Sequence, residues 1–180
     1  GWYGWDWYQE SQARCADGVV KRGADGECVG VTDGTYHFDD HLAAVERKIA
    51  EENAQVVADQ KEDKKNEYVS VAYLTSFTLT DDDSNSPASV RHELEGAYLA
   101  QYRHNRGDLA GFPKIRLLLA NSGSRSQHWK HTTDQLIDLS RDEDRLVAVA
   151  GLGPSTENNR MALERLSESG IATVASIMTA

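Results

Sequence analysis

No apolar run in this chain reaches the roughly 20 residues that a membrane-spanning helix needs, and no leader-peptide pattern opens it. Gly1, not Met, stands first, so a preceding segment is expected to have been removed. Basic residues are the minority: 19 Lys and Arg stand against 29 Asp and Glu, a formal net charge of −10. So acidic a chain repels phosphate backbones, which rules against nucleic acid as a partner and disfavours an anionic membrane surface. Cysteine is nearly absent. Cys15 and Cys28 lie in no CxxC motif and have no His beside them, which argues against a metal or redox centre. They flank the Gly- and Asp-rich stretch DGVVKRGADGE, flexible enough to close a small loop. A disulfide there would stabilise the segment by about 3 kcal/mol and imply an oxidising, extracytoplasmic compartment. Two free thiols in a cytosolic protein is the alternative.

What is present is an ordinary globular composition, 39% hydrophobic and 27% charged, which excludes disorder across the whole chain. The 180 residues suffice for one α/β domain with a core plus an appendage. Residues 1–38 read differently from the rest. GWYGWDWY holds three of the four tryptophans and two tyrosines within eight residues, without an aliphatic neighbour. Such side chains suit a boundary between apolar and wet surroundings. A juxtamembrane segment, an aromatic flap packed on the domain and a disordered end all fit that composition.

A helix follows. Asp39 or Asp40 serves as its N-cap, and Leu42, Val45, Ile49 and Val56 recur at helical spacing, with Glu52 interrupting. The apolar stripe is thin, so this helix, to about Gln60, is expected to lean on the domain or on another copy without joining its core. The charged stretch KEDKKNE reads as a linker. From Tyr68 the pattern becomes regular. YVSVAYL, IRLLLA, LVAVA and IATVASIM read as strands. Between them lie three amphipathic helices, the first opened by Ser86 as N-cap with Pro87 at N1, the last stopped by Gly170. The order βαβαβαβ predicts a doubly wound parallel sheet with helices on both faces. In such sheets ligands bind beyond the carboxyl ends of the strands. That rule selects the loops 75–89, 121–127 and 151–156 and the end of the fourth strand near Ser176 and Thr179. These loops are rich in Ser, Thr, Asn and Gly, which suits a small polar or anionic ligand.

The runs VSVAYLTSFT, HELEGAYLAQYRHNRGD and KIRLLLANSGS, followed by DRLVAVAGLGPSTENNRMALERLSESGIATVASIMTA, resemble the opening of type I periplasmic solute-binding proteins, the leucine- and amide-type receptors of ABC transporters. The resemblance covers about 67–180. The stretch ECVGVTDGTYHF also resembles the region between anchor and binding domain in membrane-tethered members. The resemblance implies an α/β fold forming the first of two lobes (67–180), preceded by a Trp-rich, Cys-containing extension and helix (1–66). It implies a small-molecule ligand such as an amino acid or amide. It also implies an extracytoplasmic location, a permease or membrane-anchored signalling partner, and no catalysis or cofactor. Carried over residue by residue, the ligand positions are Ser155 and Thr156 after the third strand, Ile177 and Thr179 at the end of the fourth, and Ser89 before the first helix of the repeat. Three features depart from the family pattern: Ile177 where a small residue is common, the acidic loop 80–87, and Glu157 directly after the hydroxyl pair. They motivate a second reading, an interaction module that keeps the fold without capturing ligand. The second lobe is absent from these residues. The surface left bare near Ala180 is expected to favour self-association.

Other constellations read as structural. GLGPST has Thr156 where a dinucleotide fingerprint needs its third glycine, and follows the third strand, not the first. Asp81, Asp82 and Asp83 precede a helix and read as a solvated loop. The pairs His37/His41 and His128/His131 lack a third ligand and read as caps and surface groups. Ser122, Ser124 and Ser126 lack a GxSxG elbow and read as a polar turn.

Overall fold

The computed structural model describes residues 2–107 and 112–175. Helix α1 (Trp2–Ala13) precedes three short strands, β1 (Arg14–Ala16), β2 (Val19–Arg22) and β3 (Glu27–Thr32). Helix α2 (Ala43–Glu62) leads to β4 (Tyr68–Thr75). The chain then alternates through α3 (Pro87–Arg106), β5 (Lys114–Asn121), α4 (Trp129–Ser140), β6 (Leu146–Gly151), α5 (Glu157–Glu168) and β7 (Ala172–Ala175). All seven strands join one mixed sheet, ordered β1-β2-β3-β5-β4-β6-β7. The four strands from β4 onward are mutually parallel, whereas β1, β2 and β3 add to the β5 edge antiparallel.

Alternation along the central strands splits the core in two. Ala72, Leu74, Leu118, Ala120 and Val149 face Leu136 and Ile137 of α4 and Ala162 and Leu166 of α5. Tyr73, Leu117 and Leu119 face Val45 and Ile49 of α2 and Val90 and Leu94 of α3. Helices therefore cover both faces, and the direction of winding reverses at β4, which is compatible with a doubly wound sheet. Helix boundaries follow local chemistry. The Ser86 side chain accepts from Ser89 N with Pro87 behind it, the Thr156 side chain accepts from Asn159 N, and Gly170 stands just past α5 at φ +78°. Asp39 caps a 3-10 turn, Asp40–Leu42, which feeds α2.

Two expectations need correction. The stretch between the cysteines is an ordered hairpin, with β2 and β3 paired from Val19↔Gly30 to Arg22↔Glu27. Helix α2 does belong to the core: Ile49 is fully buried and Val56 nearly so. Its polar residues explain the thin stripe. Asn53 donates through Nδ2 to Leu117 O (2.7 Å), and its Oδ1 accepts from Leu117 N (2.8 Å). Asn105 of α3 does the same for Ile115, donating to its O (2.9 Å) and accepting from its N (2.8 Å). Along β5, strand β3 reaches only Leu119–Asn121. The two amides therefore continue the ladder where β3 stops, satisfying backbone groups that would otherwise be buried and unpaired. Glu52 is tied to Asn105 (3.0 Å) and to Arg106 by a two-pronged ion pair (2.7 and 2.9 Å).

The Cys15–Cys28 disulfide is present and joins β1 to β3. No described helix is long and apolar enough to cross a membrane. Reduction is expected to cost about 3 kcal/mol of stability. Urea unfolding with and without reductant checks this, and coincident curves would contradict it. On α1, Tyr3, Trp5, Trp7 and Tyr8 are all exposed, from 56% to 93%, so these rings do not form a flap packed on the domain.

The other polar group that α2 brings inside is Glu46, fully buried. Its Oε2 accepts from Phe38 N (3.2 Å) and stands 3.5 Å from His37 Nδ1, and its Oε1 has no hydrogen-bond partner. Burial pushes the carboxyl up from 4.5 to about 8, with the Asp39 charge adding to the rise and the Phe38 bond opposing it. The folded protein thus keeps a proton that the unfolded chain releases. The Glu46 contribution to stability is full below about pH 4.5 and is lost as pH rises towards 8, up to about 5 kcal/mol in all. Glu46→Gln is expected to flatten that decline in urea melts between about pH 5 and 8. An unchanged slope would show that Glu46 does not titrate there.

Candidate ligand-binding site

Strands β4, β5 and β6 end level with one another, Thr75 opposite Asn121 and Leu74 opposite Gly151. Beyond these ends the loops are braced side chain to side chain. Asn121 is the hub. Its Oδ1 accepts from Phe77 N (2.9 Å) and Gly123 N (3.0 Å), while Nδ2 donates to Cys28 O and Thr78 Oγ1 (both 2.9 Å). Glu27, at the start of β3, reaches the same place: Thr78 Oγ1 and Ser124 N donate to its Oε1, the latter at 2.6 Å, and Gln127 Nε2 donates to its Oε2 (2.9 Å). Gly123 is at φ +80°, and a Cβ there would lie 2.9 Å from both the Glu27 carboxylate and the His128 ring. Only glycine fits that turn.

The loop after β4 grips the loop after β5 through Asp83. Its Oδ2 accepts from Ser124 Oγ (2.5 Å) and Thr80 N (2.8 Å), and its Oδ1 accepts from Arg125 N (2.6 Å). Burial alone would raise this carboxyl, but those hydrogen bonds outweigh it and hold Asp83 below its ordinary value. Asp83 is therefore not the solvated loop residue its sequence context predicts. The loop after β6 joins in as well. Ser126 Oγ donates to Asn159 Oδ1 (2.6 Å), Ser126 N donates to Ser76 Oγ (3.2 Å), and Asn158 Nδ2 donates to Arg125 O (3.1 Å).

These three loops enclose a cleft of about 390 Å³, lined by Thr75, Ser76, Asp83, Arg125, Ser126, Thr156 and Asn159 among others. It lies beyond the β4 and β6 ends, where the winding reverses. Thr156 is in the wall and caps α5. Ser155 is exposed and, again with Thr156, borders an adjoining hollow of about 380 Å³. Ser89 lies in the first turn of α3, where its N–H is occupied by Ser86 Oγ (3.1 Å), and it does not line the cleft. Ile177 and Thr179 lie outside the described residues. The strand-end rule selects all three loops but does not point to Ser76, Asp83, Arg125, Ser126 or Asn159. Their partners are 33 to 50 residues away, and no local pattern announces them.

The serine cluster is consumed in this bracing: Ser122 Oγ donates to Ser126 Oγ (3.1 Å). His128 turns towards Glu27, with Nε2 3.6 Å from Oε2. His41 holds Asp39 (2.6 Å) and Pro87 O (3.1 Å). Among the described residues no three His, Cys, Asp or Glu groups converge where they could hold a metal ion. The cleft therefore presents hydroxyls, amides, one guanidinium and the carboxylates of Asp82, Asp83 and Glu157, an arrangement suited to orienting a small polar molecule. Compared with known proteins, the chain matches no family model, no curated protein and no solved structure.

Proposed function

We propose that this chain is one lobe of an extracytoplasmic solute-binding or receptor protein of the type I periplasmic-binding architecture, in which a doubly wound sheet holds a small polar ligand beyond its strand ends. The observation that carries the reading is the polar cleft at the reversal of winding, the position where open α/β sheets bind ligands. The Cys15–Cys28 bond supports the oxidising compartment. One lobe offers one wall, so binding to this chain alone is weak, and tight capture needs a second lobe closing over the first. Transport through an ABC permease and signalling through a membrane partner use the same closure.

A thermal-shift screen with amino acids, amides, sugars and peptides tests this. It is run on this chain at millimolar ligand and on the longest natural protein that contains it. A ligand at a hundred times its dissociation constant adds about 2.7 kcal/mol. If no class stabilises either protein, the reading is wrong. A second reading, an interaction module without ligand, draws on an apolar hollow of about 610 Å³ between α3 and the sheet, lined by Val71, Ala97, Ile115 and Leu117. It gains ground if the cleft stays empty while the chain self-associates.

A further inference from the structure

Resting on the reading of the cleft as a ligand site, we infer that Arg125 is its carboxylate anchor, in place of the hydroxyl pair Ser155 and Thr156. Arg125 and Ser126 are consecutive non-glycine residues in the left-handed region, both at φ 54°. Such a conformation costs energy and persists only where the surroundings hold it. Here the loop after β4 and the first turn of α5 do so. Asp83 takes Arg125 N, Asn158 takes Arg125 O and Ser76 takes Ser126 N. The backbone is clamped on all sides while the exposed side chain stays uncommitted. Arg125 lines the cleft, and its guanidinium makes no hydrogen bond or ion pair among the described residues.

The acids around it are not equivalent. Asp83 has both oxygens occupied by loop donors, and Glu157 is ion-paired with Arg160. Asp82, on the cleft wall, makes no such bond. One free guanidinium and one free carboxylate favour a ligand that carries a single carboxylate and a cationic or hydrogen-donating group. The remaining acids disfavour a dianion. A guanidinium fork meets a planar carboxylate through two parallel hydrogen bonds, which a carboxamide cannot reproduce.

The test pairs each amino acid with its own carboxamide, the L-leucine and L-leucinamide pair included, and reads millimolar binding by ligand-detected NMR. Wild-type protein, Arg125→Gln and Arg125→Lys are compared. Gln keeps a polar, non-glycine residue at the strained position without the charge, on a side chain two atoms shorter, and equal melting temperatures confirm the folds. The expected result is that acids bind roughly tenfold or more tightly than their amides, that Arg125→Gln removes the difference, and that Arg125→Lys keeps part of it. Acids and amides binding alike, or Arg125→Gln binding as wild type, overturns the role of Arg125 and leaves the cleft standing. If no member of the panel binds the wild type, the role of Arg125 falls, while the cleft itself is decided by the wider thermal-shift screen.

Discussion

Removal of residues 1–66 is expected to abolish cooperative unfolding of what remains. The thin apolar stripe of α2 predicts the opposite, an appendage that can be cut away. In the fold, residues 14–62 supply three strands and a helix to the main sheet. Their loss strips β5 of its pairing at Leu119, Ala120 and Asn121 and frees the backbone of Leu117 from Asn53. It also removes Val19, Leu42, Val45, Ile49 and Val56 from the core, every one 5% exposed or less. At about 1.5–3 kcal/mol for each buried aliphatic side chain, that set alone rivals the 5–15 kcal/mol by which domains are typically stable. Urea and thermal melts of residues 67–180 decide the matter. A single cooperative transition with a slope proportionate to its size would show that the boundary at 66 is a real domain edge.

Asn53→Ala is expected to cost about 4 kcal/mol, more than most core truncations of equal size. The side chain makes four hydrogen bonds at 2.7 to 2.8 Å, to Asp33 O, to both backbone groups of Leu117 and to Gln101 Nε2. Alanine leaves both Leu117 backbone groups without partners in the buried core, and Asp33 O without one at its part-buried edge, each worth roughly 1–3 kcal/mol. Asn53→Asp keeps the shape but turns two donations into repulsions, so it is expected to be no better. Asn105→Ala, nearer the open end of the same edge, is expected to cost less. A loss below about 1 kcal/mol for Asn53→Ala, from urea midpoints at constant slope, would mean that the side chain does not stand in for a strand.

Much of this architecture is legible in the sequence, and the exceptions share a cause. Ser86-Pro87 and Gly170 mark helix ends by local geometry, and the runs from Tyr68 onward show their period within a few residues, so both are readable without knowledge of neighbours. Strand β3 is not. ECVGVT earns its place by pairing with residues 119–121, some 90 positions away. Helix α2 hides its membership because Glu46, Glu52 and Asn53 look like solvent-facing residues and are all buried against partners in other elements. The cleft follows the same rule. The strand-end principle locates its loops, but the roles of Asp83 and Ser126 exist only once the loops after β4, β5 and β6 meet.

Where a bound ligand sits tests the strand-end cleft most directly. Amide chemical-shift mapping with any ligand that stabilises the protein answers this. The expected perturbations cluster at residues 75–85, 124–127 and 154–159, around the strand-end cleft. Perturbations confined to Val71, Ala97, Ala100, Ile115 and Leu117, around the apolar hollow beside α3, would contradict it.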